Sequence, residues 1–179
     1  MPNEKCILTT KDFTILEVMR DRCPDPDDAL ARLLKRKLES AVVMFRDDVP
    51  ENVATLNSRV TFSVNGRDPD TRIISHDQMN APVGLFLPIT ILRGLALLGL
   101  SEGQEISLIN YDGAEERIRL EKVCYQPEAA RREKQAVDRL AEPARGRPKL
   151  RLIRGAAQDR PQPMPAGPDG FDDPGPSAA

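Results

Sequence analysis

The chain has 179 residues, of which 40% are hydrophobic and 30% charged, and its formal net charge at pH 7 is −2. This length has room for one domain with appendages but not for two full hydrophobic cores, and the composition is typical of a soluble, globular protein. Because the net charge is so small, any contact with nucleic acid must come from a local basic patch rather than from the field of the whole protein.

Three cysteines, Cys6, Cys23 and Cys124, are widely spaced and odd in number. This pattern is typical of reduced thiols and argues against both a disulfide framework and a zinc site. We therefore predict a cytoplasmic protein with no bound metal and no other cofactor.

The apolar run 81–100 raises the question of a membrane span. Pro82, Pro88, three glycines and Arg93 interrupt it, whereas a spanning helix needs about 20 mostly unbroken apolar residues. The first ten residues carry charged and polar side chains where a secretory signal needs an apolar segment. We expect the run to be buried protein interior and the protein to have no membrane partner.

The sequence pattern of residues 1–49 predicts a short antiparallel helical hairpin. Thr9 and Asp12 form a capping-box pattern at the start of a first helix. Asp25 is a favourable N-cap for a second helix, in which apolar residues recur at three- and four-residue steps as far as Phe45. Charged side chains occupy the opposite, solvent-facing side of this second helix, namely Arg32, Lys35, Arg36 and Glu39.

The sequence pattern of residues 50–128 predicts a small α+β domain with an antiparallel sheet. Alternating apolar residues and turn signals indicate four strands, at Arg59–Val64, Thr71–Ser75, Gln104–Asn110 and Glu115–Tyr125. The last two form a hairpin, and a change of parity along the final strand indicates a bulge near Glu121 or Lys122. A short buried helix is expected within Pro88–Leu98.

The remaining residues change in character. Residues 129–155 form a basic segment that begins with a charged helix over Ala129–Leu140, and between positions 131 and 154 nine Lys or Arg face three Asp or Glu, an excess of 9 − 3 = +6. Residues 156–179 are rich in proline and poor in large apolar side chains. They cannot bury enough surface to offset the entropy of ordering, so we predict a disordered tail.

Four short runs between residues 49 and 130 occur in an order that resembles a known family. The runs are Asn57–Val60, Ala81–Gly84, Leu97–Leu100 with Gly103, and Tyr125–Ala130. They are similar to the C-terminal domain of the GreA/GreB transcription elongation factors, and most similar to the Rnk-like branch, the regulators of nucleoside diphosphate kinase. The last run is the most specific of the four.

This resemblance implies an FKBP-like domain that docks on RNA polymerase, with the helical hairpin aimed at the secondary channel in competition with Gre factors. In Gre factors a long hairpin carries tip acids that help to hold a metal in the polymerase active centre and promote transcript cleavage. Here the arms are short and the acidic tip, residues 21–28, does not reproduce the Gre motif. A further difference is that residues 85–94 are extra relative to Rnk-like chains.

The tip provides three candidate polymerase-contact residues, Asp25, Asp27 and Asp28. Each also has a structural explanation, because acids cap a helix start and complement its positive end. The structural role accounts for the residue types, and the polymerase contact is an additional hypothesis.

A second hypothesis concerns the tail, where Arg145–Gly146–Arg147–Pro148 and Lys149 resemble the core of an AT-hook. An extended Arg-Gly-Arg can lie in a narrow A·T-rich minor groove, where the negative potential is strongest. Arg145, Arg147 and Lys149 are therefore candidate DNA contacts. The alternative is a solvated basic linker, which is the usual role of a run of charges.

An enzymatic function is not favoured by these residues. The sequence has no glycine-rich phosphate loop and no paired carboxylate arrangement, and its single histidine, His76, has no second histidine or nucleophile motif beside it. A prolyl isomerase of FKBP type is a further alternative, but such enzymes line their clefts with aromatic side chains, which are scarce here. A shared fold is not evidence of activity.

Overall fold

The structure, a computed structural model, describes residues 5–25, 27–76 and 84–141. These residues all fall within one compact unit and form seven strands and four helices, which confirms the predicted α+β class. In chain order the elements are β1 (Cys6–Thr9), α1 (Thr10–Arg22), α2 (Ala29–Ser40), β2 (Ala41–Met44), β3 (Arg59–Val64), β4 (Asp70–Ser75), β5 (Phe86–Pro88), α3 (Leu92–Leu97), β6 (Glu105–Ile109), β7 (Glu115–Tyr125) and α4 (Pro127–Ala141).

Helix α1 begins where the capping pattern predicts. Thr9 has extended backbone geometry, and its hydroxyl oxygen accepts a hydrogen bond from the Asp12 backbone N–H at 3.0 Å. The helix ends at Arg22, and the Cys23 N–H then donates to the Arg20 carbonyl. The local sequence rules are sufficient to position this helix.

Helix α2 is shorter than predicted at both ends. Its N-cap is Asp28 and not Asp25, and it ends at Ser40 rather than near Phe45. At 1.5 Å per residue it is about 18 Å long. The residues after Ser40 include two adjacent valines, whose branched side chains suit a strand, and they form β2 instead of a last helical turn. The antiparallel orientation of the two helices stays a prediction.

Strands β1 and β2 explain this early helix end. They pair in parallel, with Cys6 opposite Ala41 and Thr9 opposite Met44. Parallel neighbours need a crossover connection, which α1 and α2 supply. Strand β1 was not predicted from the sequence, so β2, the strand that competes with the end of α2, was not predicted either.

The larger sheet has five strands in the order β5-β4-β3-β7-β6. Strands β4, β3, β7 and β6 are antiparallel to their neighbours, as predicted, and β6 and β7 form the predicted hairpin. The β3–β7 register shifts twice along β7, with Cys124 and Glu121 as the extra residues, and the shift at Glu121 confirms the predicted bulge. The prediction of a fully antiparallel sheet is wrong at one position, because β5 runs parallel to β4. The FKBP-like comparison stays a prediction.

Residues 85–94, the segment that is extra relative to Rnk-like chains, form β5 and the start of α3. Leu87, Ile89 and Leu92 are buried in the common core. Helix α3 spans six residues, shorter than the predicted 88–98, and packs so closely on β5 that Gly94 has no room for a side chain beyond hydrogen. The segment therefore contributes side chains to the core, although Leu85 and Ile91 are exposed.

One hydrophobic cluster joins the helices to the sheet. Leu16 of α1 and Leu34 of α2 belong to the same cluster as Leu98, Ile118 and Leu120. Within the described residues, no helix is both long enough and apolar enough to cross a membrane. The division of the chain at residues 49 and 50 stays a prediction.

Helix α4 confirms the predicted charged helix and extends it slightly at both ends. Beyond its first turn it is mostly exposed, with Val137 58% and Leu140 87% accessible. The predicted disordered tail, residues 156–179, lies outside the described residues, as do the positions of the basic segment that follow Ala141.

Candidate functional site

The turn between α1 and α2 carries the three acidic candidates. The Asp25 carboxylate accepts a hydrogen bond from the Asp27 backbone N–H at 2.9 Å, so it stabilises the turn itself. Asp28 is the N-cap of α2, but its side chain makes no capping hydrogen bond. Asp25 and Asp27 are exposed and Asp28 is half-buried. The Asp25 carboxylate thus has a structural role, because it accepts a hydrogen bond within the turn. The carboxylates of Asp27 and Asp28 make no capping hydrogen bond.

The β6–β7 turn lies beside this acidic turn. Partial burial, followed by the negative charge of Asp28, raises the pKa of the Tyr111 phenol above its usual value. The Tyr111 ring is nonetheless 68% exposed, and Ile109 at the end of β6 is 56% exposed. The structure therefore brings one acidic candidate, Asp28, near the exposed Tyr111 ring, a proximity that spacing in sequence does not reveal.

A groove runs between α2 and the β6–β7 hairpin. Its volume is about 530 Å³, within the range of binding clefts in proteins. We call it the α2–β6 groove, and its lining consists of Ala29, Arg32, Leu33, Arg36, Leu92, Ser107, Leu108, Ile109, Gly113 and Glu115. Arg36 donates a hydrogen bond from Nη1 to the Ser107 carbonyl at 3.1 Å, which ties the helix to the strand across the groove.

Arg32 and Arg36 were assigned to the solvent-facing side of α2 from the sequence. Both are exposed, in agreement with that assignment, but they also flank the apolar lining of the α2–β6 groove. Their spacing of four residues places them on one side of the helix. This spacing was the available signal, but it points to a site only once the facing hairpin is known.

A buried polar cluster holds the start of α4 against the loop that precedes β3. The Thr55 hydroxyl donates to Glu128 Oε2 at 2.6 Å and lies 2.9 Å from the Ser58 hydroxyl oxygen. The Thr55 N–H donates to that same Ser58 oxygen at 3.1 Å. Two of the runs that resemble the GreA/GreB family, 57–60 and 125–130, meet in this cluster.

Gln126 adds a second connection between the same segments. Its Nε2 donates to the carbonyl oxygens of Pro50 and Val53, each at 2.8 Å. Among the buried side-chain polar atoms of the described residues, its Oε1 is the one that lacks a hydrogen-bond partner. The specific run 125–130 therefore has a structural function, which is to attach α4 to the domain.

Asp12 lies next to this cluster and is almost completely buried. Its Oδ2 accepts a 3.4 Å hydrogen bond from the Leu56 N–H. Burial is the main cause that raises the Asp12 pKa from 3.8 to about 6, and the negative charge of Glu128 adds to it, against the lowering effect of hydrogen bonds from Leu56 and Thr9. The sequence identified Asp12 as a capping residue but did not indicate that its carboxyl is buried.

No group of three or more His, Cys, Asp or Glu able to hold a metal occurs in the ranges 5–25, 27–76 and 84–141. The lining of the α2–β6 groove includes no aromatic ring, unlike the cleft expected of a prolyl isomerase. The candidate DNA contacts, Arg145, Arg147 and Lys149, lie outside the described residues and stay a sequence prediction.

The fold is similar to that of a solved structure. A prokaryotic transcription elongation factor GreA/GreB from Nitrosomonas europaea aligns with a TM-score of 0.52 and 27% sequence identity, covering 68% of this chain and 98% of that one. GreA factor homolog 1 (Gfh1) from Thermus thermophilus covers 68% of this chain and 99% of its own, and Gfh1 from Thermus aquaticus covers 67% and 98%.

Both Gfh1 proteins are 17% identical to this chain, and their TM-scores of 0.33 and 0.32 are too low to support an argument. Neither a protein-family model nor a curated protein sequence matches the chain. The comparison with the Nitrosomonas europaea factor thus supports the family resemblance seen in the sequence, at the level of GreA/GreB-type factors.

Proposed function

We propose that this protein is a non-catalytic regulator of transcription that binds RNA polymerase at its secondary channel, as the GreA/GreB resemblance implies. The observation that carries the proposal is the alignment with the Nitrosomonas europaea factor, which covers 98% of that chain and 68% of this one. A regulator of this type acts in the cytoplasm.

Excess Gre factor is expected to displace this protein from core RNA polymerase, because both would occupy the secondary channel. The measurement is a competition titration with labelled protein and purified core enzyme, followed by fluorescence anisotropy. An unrelated protein of similar charge provides the control. Binding that Gre factor leaves unchanged would locate this protein elsewhere on the polymerase and contradict the proposal.

The purified protein is expected not to stimulate cleavage of the nascent transcript. Helices α1 and α2 have 13 and 12 residues, so they are only about 20 Å and about 18 Å long, too short to carry an acidic tip deep into the channel. A backtracked elongation complex provides the assay, with a Gre factor as the positive control. RNA shortening that disappears in the triple variant Asp25→Asn, Asp27→Asn, Asp28→Asn would show that the tip does reach the active centre.

We further propose an Rnk-like role, in which binding to polymerase changes the level of nucleoside diphosphate kinase. The support is the residue pattern of the run 125–130, which is most similar to the Rnk-like branch. Kinase protein and transcript levels, compared between cells with and without this protein, test the role. Equal kinase levels in the two kinds of cell would contradict the Rnk-like role. The protein would then be a polymerase-binding regulator of a different target.

A further inference from the structure

The turn after β3 holds an Asn-Gly pair in a defined geometry. Asn65 and Gly66 both have positive φ, 53° and 69°, and the Arg67 N–H donates to the Val64 carbonyl at 3.0 Å. These values are those of a type I′ turn, for which Asn-Gly is a preferred pair. Asn65 is exposed, and a Cβ added at Gly66 would meet no atom of the described residues within 4 Å. Water therefore has free access to this turn.

Strand β7 holds the Asn65 side chain in one orientation. The Asn65 backbone N–H donates to the Arg117 carbonyl, and the Arg117 N–H donates to Asn65 Oδ1, each at 2.8 Å. The amide oxygen must face β7, because an amide nitrogen does not accept hydrogen bonds. In the part of the chain that the structure describes, neither Asn65 Nδ2 nor the Gly66 N–H has a hydrogen-bond partner.

These groups match the requirements for loss of an asparagine side-chain amide. The Gly66 backbone nitrogen is a nucleophile next to Asn65 Cγ in the chain, so the attack is intramolecular. Glycine has no side chain that would obstruct it. Attack places negative charge on Oδ1, to which the Arg117 N–H already donates. A fixed donor in this position stabilises a developing oxyanion.

We propose that Asn65 is a site of spontaneous deamidation, in which water is the co-reactant. The Gly66 nitrogen forms a bond to Asn65 Cγ and gives up its proton to hydroxide or water. The Cγ–Nδ2 bond breaks, and Nδ2 leaves as ammonia after it takes a proton from water. Water then opens the cyclic imide at either of its carbonyl groups. One opening gives aspartate, and the other gives isoaspartate, in which the chain continues through the former side chain.

The two products have different effects on the sheet. Aspartate keeps an oxygen for the Arg117 N–H and changes the formal net charge of the chain to −2 − 1 = −3. Isoaspartate adds a methylene group to the backbone inside the turn, so the bonds to Arg117 and the bond between Val64 and Arg67 cannot all be kept. We expect isoaspartate to loosen the end of the β3–β7 pairing, where Val64 lies opposite Ile118.

Two other asparagines provide internal controls. Asn57 has a similar φ of 65°, but the N–H of the next residue, Ser58, donates to the Thr55 carbonyl at 3.1 Å and is therefore occupied. Asn110 is followed by Tyr111, whose side chain obstructs the attack. Both asparagines should keep their amides for longer than the asparagine of the turn.

Peptide mapping by mass spectrometry tests the proposal on the folded, full-length chain incubated at mildly alkaline pH. One oxyanion donor contributes about 100-fold or more in an enzyme, and the turn is open to water, so Asn65 is expected to convert about tenfold faster than Asn57 or Asn110. Gly66→Ala places a methyl group beside the nucleophile and should slow the conversion of Asn65 severalfold. Circular dichroism checks that this variant is folded, since positive φ strains alanine by about 1–2 kcal/mol.

Each readout has a result that would overturn the proposal. Equal conversion of Asn65 and Asn57 would show that the folded turn protects the amide. Equal conversion in the wild type and in Gly66→Ala would show that the Gly66 nitrogen is not the nucleophile. Aspartate without isoaspartate at position 65 would indicate direct hydrolysis of the side chain in place of the cyclic imide.

Urea unfolding measures the effect of the modification on the sheet. Protein aged until Asn65 has been converted should unfold at a lower urea concentration than the Asn65→Asp variant, because only the aged protein contains isoaspartate. Equal midpoints would contradict the expected loosening of the β3–β7 pairing. None of these measurements depends on binding to polymerase, so the modification and the proposed function can fail separately.

Discussion

A Gly94→Ala variant is expected to lose about 2–3 kcal/mol of stability, although alanine is the better helix former by about 1 kcal/mol. A Cβ atom at position 94 would lie 2.7 Å from the carbonyl carbon of Pro88 and closer still to its oxygen. These atoms belong to the backbone of β5, so α3 must move away from the strand to relieve the contact. Urea unfolding followed by circular dichroism measures the change.

Gly99 and Gly103 provide the control for this steric argument. Both have φ of +80°, so alanine is strained at either position by about 1–2 kcal/mol. At Gly103 a Cβ meets nothing within 4 Å, whereas at Gly99 it would lie 2.5 Å from Cys6 Sγ and 3.0 Å from the Ile7 carbonyl oxygen. Gly99→Ala should therefore cost clearly more than Gly103→Ala. Equal losses at positions 94, 99 and 103 would contradict the packing of α3 and β1 described above.

The buried carboxyl of Asp12 is expected to make the protein less stable as the pH rises from about 4 to about 6. Its pKa in the folded protein is about 6, against an unfolded value near 3.8. Within this window the folded state holds a proton that the unfolded state has lost, so raising the pH favours unfolding. A difference of about two pKa units corresponds to about 3 kcal/mol at most.

The variant Asp12→Asn isolates this effect. Asparagine keeps an oxygen for the Leu56 N–H but carries no charge, so the variant should lose less stability between pH 4 and pH 6.5 than the wild type. Other groups act in the opposite sense, such as Glu116, whose pKa is lowered by its hydrogen bond with Arg93. The comparison between variant and wild type removes their contribution. Asp21→Asn, on the exposed side of the same helix, is the control, and identical pH profiles for Asp12→Asn and the wild type would show that the carboxyl is not desolvated.

Elements governed by local rules were predicted well from the sequence. The Thr9 cap positioned α1, and alternation with turn chemistry identified four of the five strands in the large sheet. The bulge at Glu121 was visible as a change of parity. These features depend on residues that lie close together along the chain.

Features that depend on distant partners were not predicted. Helix α2 gives way to β2 because β1, some 35 residues earlier, pairs with it, and β1 is only four residues long. Strand β5 is only three residues long and pairs in parallel with β4, with Ile73 opposite Phe86, and so short a strand leaves little signal in the sequence. The α2–β6 groove needs two segments that are about 75 residues apart, Arg32 with Arg36 and Ser107 with Leu108. No window of sequence contains both of its walls.

The attachment of β1 has a consequence for how the chain folds during synthesis. The Ile7 N–H donates to the Gly99 carbonyl at 2.9 Å, and Gln126 ties the final helix to Pro50 and Val53. Contacts that are so far apart in sequence form slowly, because a long loop must close before they contribute. One edge of strand β1 therefore stays unpaired until residue 99 has left the ribosome. The packing of the core is completed only after residue 126 has emerged. Ribosome-bound chains shorter than this should be readily digested by protease near residue 7.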